Sequence, residues 1–275
     1  MAIGSIVSVQ CGAALATTLF ATVGPLGAVF LRSVFGALAV LALARGSMPS
    51  RRSGPLWDIV LFGIALAALN LCFYAALDRL PLGIAVTLEF VGPLGVAVFG
   101  SRRRRDALWA LPAAIGIVLL SDGAGGEGID PLGAALALAA GGFWALYILQ
   151  SARVGSNHRG FGGLALAAAI SAVLVAPFGI VQGGAELLAP AHLAVGLAVG
   201  LLSSAIPFAL EFEALRRLPK AVFGVLMSLE PAVAALAGFV ILGEDLVARE
   251  VVAILLVVID SAGAAKGASL APRDG

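Results

Sequence analysis

The stretch LPLGIAVTLEFVGPLGVAVFGSRRRR, Leu80–Arg105, decides the fold of this chain. Its apolar part is long enough to cross the hydrocarbon core of a bilayer as a helix, and four consecutive arginines, Arg102–Arg105, follow it. Lys and Arg resist translocation, so arginines placed directly after an apolar helix mark the cytoplasmic side. We therefore interpret this basic run as a topology anchor that touches anionic lipid rather than as a nucleic-acid site.

The rest of the chain repeats this pattern of apolar stretch and polar gap. Apolar residues make up 61% of the 275 positions and charged residues 12%, whereas a soluble domain has about 25% charged residues. We predict ten membrane spans separated by gaps too short for a soluble domain. The predicted spans are Ile3–Thr22, Leu26–Arg45, Trp57–Leu77, Pro81–Gly100, Asp106–Ser121, Pro131–Gln150, Phe161–Gln182, Ala191–Glu213, Lys220–Leu242 and Glu250–Lys266.

The basic residues are sorted between alternate gaps. Of the 17 Lys and Arg residues, 14 lie in the even-numbered gaps or after the last span, and the odd gaps hold only Arg79 and Arg249. This asymmetry predicts that the even gaps and both termini are cytoplasmic. The 14 residues are Arg45, Arg51, Arg52, Arg102, Arg103, Arg104, Arg105, Arg153, Arg159, Arg216, Arg217, Lys220, Lys266 and Arg273.

An internal repeat relates the two halves of the chain. The string ALDRLP at Ala76–Pro81 returns as ALRRLP at Ala214–Pro219, and Pro93 meets Pro231 at the same offset. Residues 3–121 and 131–266 would each form a repeat of five spans, and an odd number of spans inverts the second repeat. The predicted fold is an all-α membrane protein of ten transmembrane helices in two inverted repeats, which is typical of transporters with a midplane substrate site.

Glu89 is the most informative ionisable residue within a span. A charged side chain at a helix centre costs about 2.5–3.5 kcal/mol on the insertion scale, so it is usually functional. Pro93 has no backbone N–H and leaves the carbonyl of residue 89 without its helical partner. Glu89 is therefore the lead candidate to carry a coupling proton, and the alternative is a protonated Glu bonded to a neighbouring helix. Glu230, which precedes Pro231 at a corresponding depth, is the second candidate.

Other polar and aromatic residues share helix faces and are candidates to line a substrate cavity. Trp144 and Tyr147 are interpreted equally well as packing residues, and Arg32 is either a snorkelling residue or a partner for a buried Glu or a substrate carboxylate. The candidate substrate-binding residues are Asn70 and Tyr74 in span 3, Trp144 and Tyr147 in span 6, Ser203 and Glu211 in span 8, and Arg32 in span 2.

Motifs of enzymes and metal sites are absent from the sequence. No GxxxxGK[ST], HExxH or GxSxG string occurs, and His158 and His192 are predicted at opposite membrane faces. Cys11 and Cys72 lie inside spans and are interpreted as packing residues. We expect no cofactor, no metal and no enzymatic activity.

Three segments resemble a known family. LPLGIAVTLEFVGPLGVAVF (Leu80–Phe99), GGFWALYIL (Gly141–Leu149) and the region from LSSAIPFALE (Leu202–Glu211) to FGVLMSLEPAVAALAGFVILGE (Phe223–Glu244) are similar to bacterial threonine and homoserine exporters of the drug/metabolite transporter superfamily, with paired EamA repeats. The resemblance implies an inner-membrane protein that exports small amino acids, driven by the proton gradient. Two positions depart from the family pattern, Thr17 where relatives often have Lys, and Asp260.

We expect a secondary transporter that exports small polar metabolites, amino acids first, with protons and membrane lipids as further partners. The alternatives are a broad exporter of drugs or metabolites and, more remotely, an intramembrane enzyme, which would need a cluster of acids or histidines at one face. The sequence leaves open whether the chain forms a homodimer.

The charge asymmetry makes a testable prediction about topology. Reporter fusions at Gly46 and Arg104 should read as cytoplasmic, and fusions at Gly125 and Gly184 as periplasmic, because Lys and Arg hold the even gaps inside. A cytoplasmic signal at Gly125 would contradict the inverted repeat.

Overall fold

The computed structural model of the protein describes residues 1–46, 55–100, 129–157, 160–208, 210–211, 226–245 and 248–269, and its regular structure within these ranges is helical. Turns of other helical types continue three of the helices: 3-10 at Gly184–Leu188, and π at Leu201–Ala205 and Gly238–Leu242. In chain order the helices are α1 (Ala2–Thr17), α2 (Phe20–Leu43), α3 (Leu56–Leu77), α4 (Leu82–Glu89), α5 (Val91–Gly100), α6 (Pro131–Asn157), α7 (Gly162–Gly183), α8 (Pro190–Gly200), α9 (Glu230–Ala237) and α10 (Ala248–Ser269).

Five helical stretches are long and apolar enough to cross a membrane, and they match predicted spans 2, 3, 6, 7 and 8. They are Phe20–Leu43, Leu56–Leu77, Pro131–Gly155, Gly162–Leu188 and Pro190–Phe208. Shorter apolar helices coincide with predicted spans 1, 4, 9 and 10, at Ala2–Thr17, Leu82–Val96, Glu230–Leu242 and Glu250–Ile259. Predicted span 5 and the second repeat string, Ala214–Pro219, lie outside the described residues. The all-α membrane class is confirmed, and the count of ten spans stays a prediction.

Gly24 sets the boundary between the first two predicted spans. Its φ of 71° and ψ of 168° interrupt α2, in a region of backbone conformation that glycine adopts readily and other residues do not. Just after the break, the backbone N–H of Leu26 donates to Gln182 Oε1 of α7 at 2.6 Å. A backbone donor that the helix leaves free is thus satisfied by a side chain of a neighbouring helix.

The first helix is shorter than predicted. It ends at Thr17, before the expected Thr22. The Thr17 hydroxyl donates to the carbonyl of Ala14 at 2.8 Å, and such local bonds compete with the helical ladder.

The short helix α4 lies in the middle of the protein. All of its residues, Leu82–Glu89, are buried, and it contacts α3, α6, α9 and α10. Its close approach to α9 depends on Gly83, because a Cβ there would lie 2.7 Å from the Cβ of Ala235. This packing fixes the position of Glu89 at the end of α4.

Polar contacts join several helix ends at one face of the protein. Arg79, after α3, forms an ion pair of 3.0 Å with Asp130, which precedes α6. The N–H of Gly133 and then Arg79 donate hydrogen bonds that lower the pKa of Asp130. Glu244, after α9, accepts the N–H of Leu82 at 2.9 Å, and burial raises the pKa of Glu244 against the effect of that bond. The gaps before α4, before α6 and after α9 therefore lie on one face of the protein.

Two glycines allow α6 to cross the break between α4 and α5. A Cβ on Gly141 of α6 would overlap the backbone carbonyl of Glu89, and a Cβ on Gly92 would overlap the carbonyl of Gly141. Small residues of this kind let membrane helices approach closely. The carbonyl that Pro93 leaves without an N–H partner is therefore covered by the backbone of α6.

This crossing predicts that Gly141→Ala destabilises the protein, because an added methyl in a filled interior costs about 1–3 kcal/mol. The matched control is Gly142→Ala on the same helix, since a Cβ at Gly142 has nothing within 4 Å. Thermal unfolding of the purified protein in detergent should show a lower midpoint for Gly141→Ala and a wild-type midpoint for Gly142→Ala. Equal midpoints for the two variants would contradict the crossing.

Candidate functional site

Glu89 is the last residue of α4 and is 7% exposed. The helix breaks at Phe90 because Pro93 cannot donate to the carbonyl of Glu89. The carboxyl group interacts electrostatically with Glu230 and with Arg32. The structure therefore places the two predicted proton carriers and the basic residue predicted within span 2 within range of electrostatic interaction.

Glu230 is the first residue of α9 and is 6% exposed. Its Oε1 accepts a hydrogen bond of 3.2 Å from Gln10 Nε2 of α1. Glu230 Oε2 and Gln10 Oε1 are both buried without a hydrogen-bond partner among the described residues. Gln10 was not predicted as a site residue, although a long polar side chain in an apolar span is a signal in the sequence.

Glu211, predicted to line the cavity, is held by α1. It accepts a hydrogen bond of 2.6 Å from the Ser5 hydroxyl, and it interacts electrostatically with Glu230 and with Tyr147. Nearby, Ser8 donates to the carbonyl of Leu202 at 2.7 Å, in the π turn that follows α8. Such π turns are frequent at functional sites.

Arg32 and Asn70 form a pair between α2 and α3. Arg32 Nη1 donates to Asn70 Oδ1, and Asn70 Nδ2 donates to the carbonyl of Leu66 at 2.8 Å. The guanidinium carbon lies 5.5 Å from the ring centroid of Tyr74, one turn after Asn70, in a cation–π arrangement. Arg32 Nε remains buried without a partner in the described part of the chain.

A cavity of about 50 Å³ lies beside this pair and is large enough for a few water molecules. Three predicted site residues, Arg32, Asn70 and Ser203, line it. Three serines that sequence reasoning missed, Ser33, Ser171 and Ser204, line it as well. The Oγ atoms of Ser33 and Ser171 are buried and have no partner among the described residues. Arg32 Nε and these two hydroxyls give the cavity wall three unsatisfied polar atoms.

The two aromatic candidates of α6 pack against other rings rather than line this cavity. Trp144 lies edge-on to Phe90, 5.6 Å between centroids, and Tyr147 lies 5.0 Å from Phe62. Because Phe90 is the residue at the break after α4, Trp144 supports the position of Glu89. The packing interpretation of these aromatics fits their contacts in this structure.

Titratable side chains do not gather into a metal site in the described ranges, which contain no group of three or more His, Cys, Asp or Glu residues able to hold an ion. Cys11 and Cys72 are free thiols. The polar groups of the site are instead a guanidinium, an amide, hydroxyls and carboxyls, and these can bind a small polar molecule through hydrogen bonds and charge.

Comparison with known proteins places these features in a family. The EamA-like transporter family matches residues 131–262. The threonine/homoserine exporter RhtA of Salmonella typhimurium (strain SL1344) is 42% identical over 257 residues, 93% of this chain and 87% of the exporter. RhtA of Escherichia coli (strain K12) is 40% identical with the same coverage.

A solved crystal structure, 23% identical, aligns over 94% of each chain with a TM-score of 0.66 and shows the same fold. The relatives at 42% and 40% identity, which match nearly the whole chain, together with the family match and the apolar helices, show that this chain belongs to the EamA-like transporter family.

Proposed function

We propose that this protein exports small amino acids, threonine and homoserine first, from the cytoplasm across a bacterial inner membrane in exchange for protons. The observation that carries the proposal is the 42% identity, over 93% of the chain, to a threonine/homoserine exporter. An identity of this size over nearly the whole length includes the helices that form the cavity.

The chemistry of the cavity suits a zwitterion better than an apolar drug. Arg32 offers a cation and an unpartnered donor, Nε, at the cavity wall, and a guanidinium matches the geometry of a carboxylate. Glu89 is near enough to Arg32 for electrostatic interaction, so a carboxylate is available for a substrate ammonium. An amino acid carries both of these charges, whereas a hydrophobic drug would leave the polar groups unpaired.

Two broken helices support the inverted-repeat architecture, residues 3–121 and 131–266. The first breaks after Glu89 and the second before Glu230, and each break is associated with a proline, Pro93 or Pro231. Broken helices in corresponding positions of two halves are typical of transporter sites near the midplane. On this architecture Glu89 and Glu230 face each other from the two repeats.

The position of the cavity fits loading from the cytoplasm. From Arg32 its lining extends to Val40, Leu164 and Phe208. These last three residues lie toward the helix ends that the charge pattern predicts to be cytoplasmic. The face that holds the Arg79–Asp130 ion pair is then periplasmic. In this conformation the substrate would enter from inside, and the ion pair would separate during release.

Glu89 is proposed to carry the coupling proton, with Glu230 as its partner. Both carboxyls are buried, and they interact with one another. Two like charges that interact through an apolar interior disfavour simultaneous ionisation, so a proton is shared by the pair. A substrate ammonium and a proton would both relieve the same repulsion, which gives a physical basis for exchange.

Substrate choice is tested by resistance to toxic amino acids. Cells that overproduce the protein should tolerate higher homoserine or threonine concentrations, and Arg32→Gln should remove this tolerance, because a charged hydrogen bond lost from the site raises KM about tenfold or more. Arg45→Gln is the matched control, since Arg45 is exposed and outside the cavity lining. Growth curves with matched expression levels provide the measurement.

A different growth phenotype would replace this substrate assignment. Cells that gain no resistance to any amino acid, yet tolerate hydrophobic drugs better, would indicate the broad exporter. An Arg45→Gln variant as inactive as Arg32→Gln would show that the lost charge acts on topology or folding rather than on the cavity.

Proton coupling is tested by Glu89→Gln in proteoliposomes. The variant keeps shape and hydrogen bonding but lacks a titratable proton, so we expect uphill export driven by a pH gradient to be lost while downhill exchange survives. Glu186→Gln removes an exposed carboxylate and serves as the control. Wild-type rates of uphill export by Glu89→Gln would assign the coupling to Glu230 or Glu211.

Pro93→Ala separates coupling from cavity shape. Alanine restores an N–H donor for the Glu89 carbonyl and straightens the break against Gly141. We expect both uphill export and exchange to fall together, unlike the selective loss in Glu89→Gln.

A further inference from the structure

Several helical Ser and Thr hydroxyls in this protein bond to their own helix, whereas those of Ser5 and Ser8 bond to groups elsewhere in the bundle. Thr87 donates to the carbonyl of Gly83 at 2.6 Å, Ser151 to Ile148 at 3.0 Å and Thr17 to Ala14 at 2.8 Å. Such bonds to the preceding turn satisfy a hydroxyl without any tertiary partner.

Ser171 of α7 has neither kind of bond among the described residues. Its side chain is 1% exposed, and its Oγ has no hydrogen-bond partner among the described residues. Burial without a partner is costly for a hydroxyl, so an unpaired one in an interior calls for an explanation. Ser171 lines the cavity with Arg32, Asn70 and Ser203, and a molecule that enters this cavity can supply the missing bond.

The neighbouring groups restrict what Ser171 can bind. A substrate carboxylate is drawn to Arg32 on α2, and Asn70 already bonds to Arg32 and to the Leu66 carbonyl. The remaining part of the substrate then faces the other cavity walls, which contribute Ser171, Ser203 and Ser204. Of these three, Ser171 is the one with a buried and unpartnered Oγ. A hydroxyl, both donor and acceptor, complements another hydroxyl.

We propose that Ser171 determines specificity by exchanging a hydrogen bond with the side-chain hydroxyl of the amino acid. The inference rests on the proposed function and adds the residue that separates hydroxy amino acids from their apolar analogues. A substrate without the hydroxyl leaves Ser171 unpaired in the bound state, and sites built around a hydrogen bond discriminate strongly against such analogues.

One analogue tests the proposal for both amino acids, because 2-aminobutyrate is threonine or homoserine without the hydroxyl. Exchange in proteoliposomes gives KM and kcat for the three compounds. We expect Ser171→Ala to raise KM for threonine and homoserine about tenfold while KM for 2-aminobutyrate stays constant or falls. Ser171→Cys, with a weak donor of similar size, should give an intermediate ratio of the KM values.

Two further variants distinguish recognition of the substrate hydroxyl by Ser171 from effects that change binding of all three compounds alike. Ser151→Ala removes a hydroxyl bonded within its own helix and should leave all three KM values unchanged. Ser33→Ala removes the unpartnered cavity hydroxyl next to Arg32, on the side assigned to the carboxylate. It should raise all three KM values by the same factor, since every substrate has that carboxylate.

The outcomes separate the inference from the function on which it rests. A rise of all three KM values by the same factor in Ser171→Ala, or no change in any of them, would overturn the role of Ser171 while leaving amino-acid export intact. Wild-type protein that transports none of the three compounds would overturn the proposed function and the inference with it.

Discussion

A helix bundle surrounded by lipid has to satisfy its polar groups internally, and this constraint arranges the interior of the protein. The polar residues of α1 obey it by reaching across the bundle: Ser5 binds Glu211 and Gln10 binds Glu230. Against this background, buried polar atoms without a partner among the described residues are informative, because lipid cannot hydrogen-bond them and a molecule in an adjoining cavity can. Those that line the cavity are Arg32 Nε, Ser33 Oγ and Ser171 Oγ.

Glycine packing makes the break beside Glu89 possible. A helix broken by Pro93 exposes a carbonyl, and in lipid that carbonyl must be covered. Gly141 covers it, because the missing Cβ brings the backbone of α6 against the carbonyl of Glu89. The resulting site has a rigid wall, and the same close contact makes its geometry sensitive to one added methyl group.

Hydropathy predicted the apolar helices that the structure describes, because hydropathy depends on the local sequence, whereas the sidedness indicated by the charges stays a prediction. Glu89 and Glu230 could be singled out from the sequence because an ionisable residue in an apolar span is costly wherever it lies; both are buried in helices, and their role stays a prediction. Ser33 and Ser171 could not be singled out, because a serine within a helix usually bonds to its own backbone and only tertiary structure reveals the exception. Likewise, the sequence did not indicate that Glu211 would bind Ser5, a contact between residues far apart in the chain.

The two central carboxyls differ in their electrostatic surroundings, although their depths in the two halves correspond. Glu230 begins α9, where the helix dipole and the Gln10 amide favour a negative charge. Glu89 ends α4, where the dipole opposes a negative charge, and of the two described charges that interact with it, Arg32 favours a negative charge and Glu230 opposes one. Any substrate or movement that draws Arg32 away would therefore change the charge balance at Glu89 first. The guanidinium thus lies at the cavity wall and interacts with the carboxyl of Glu89, an arrangement that the proposed exchange of substrate for protons requires.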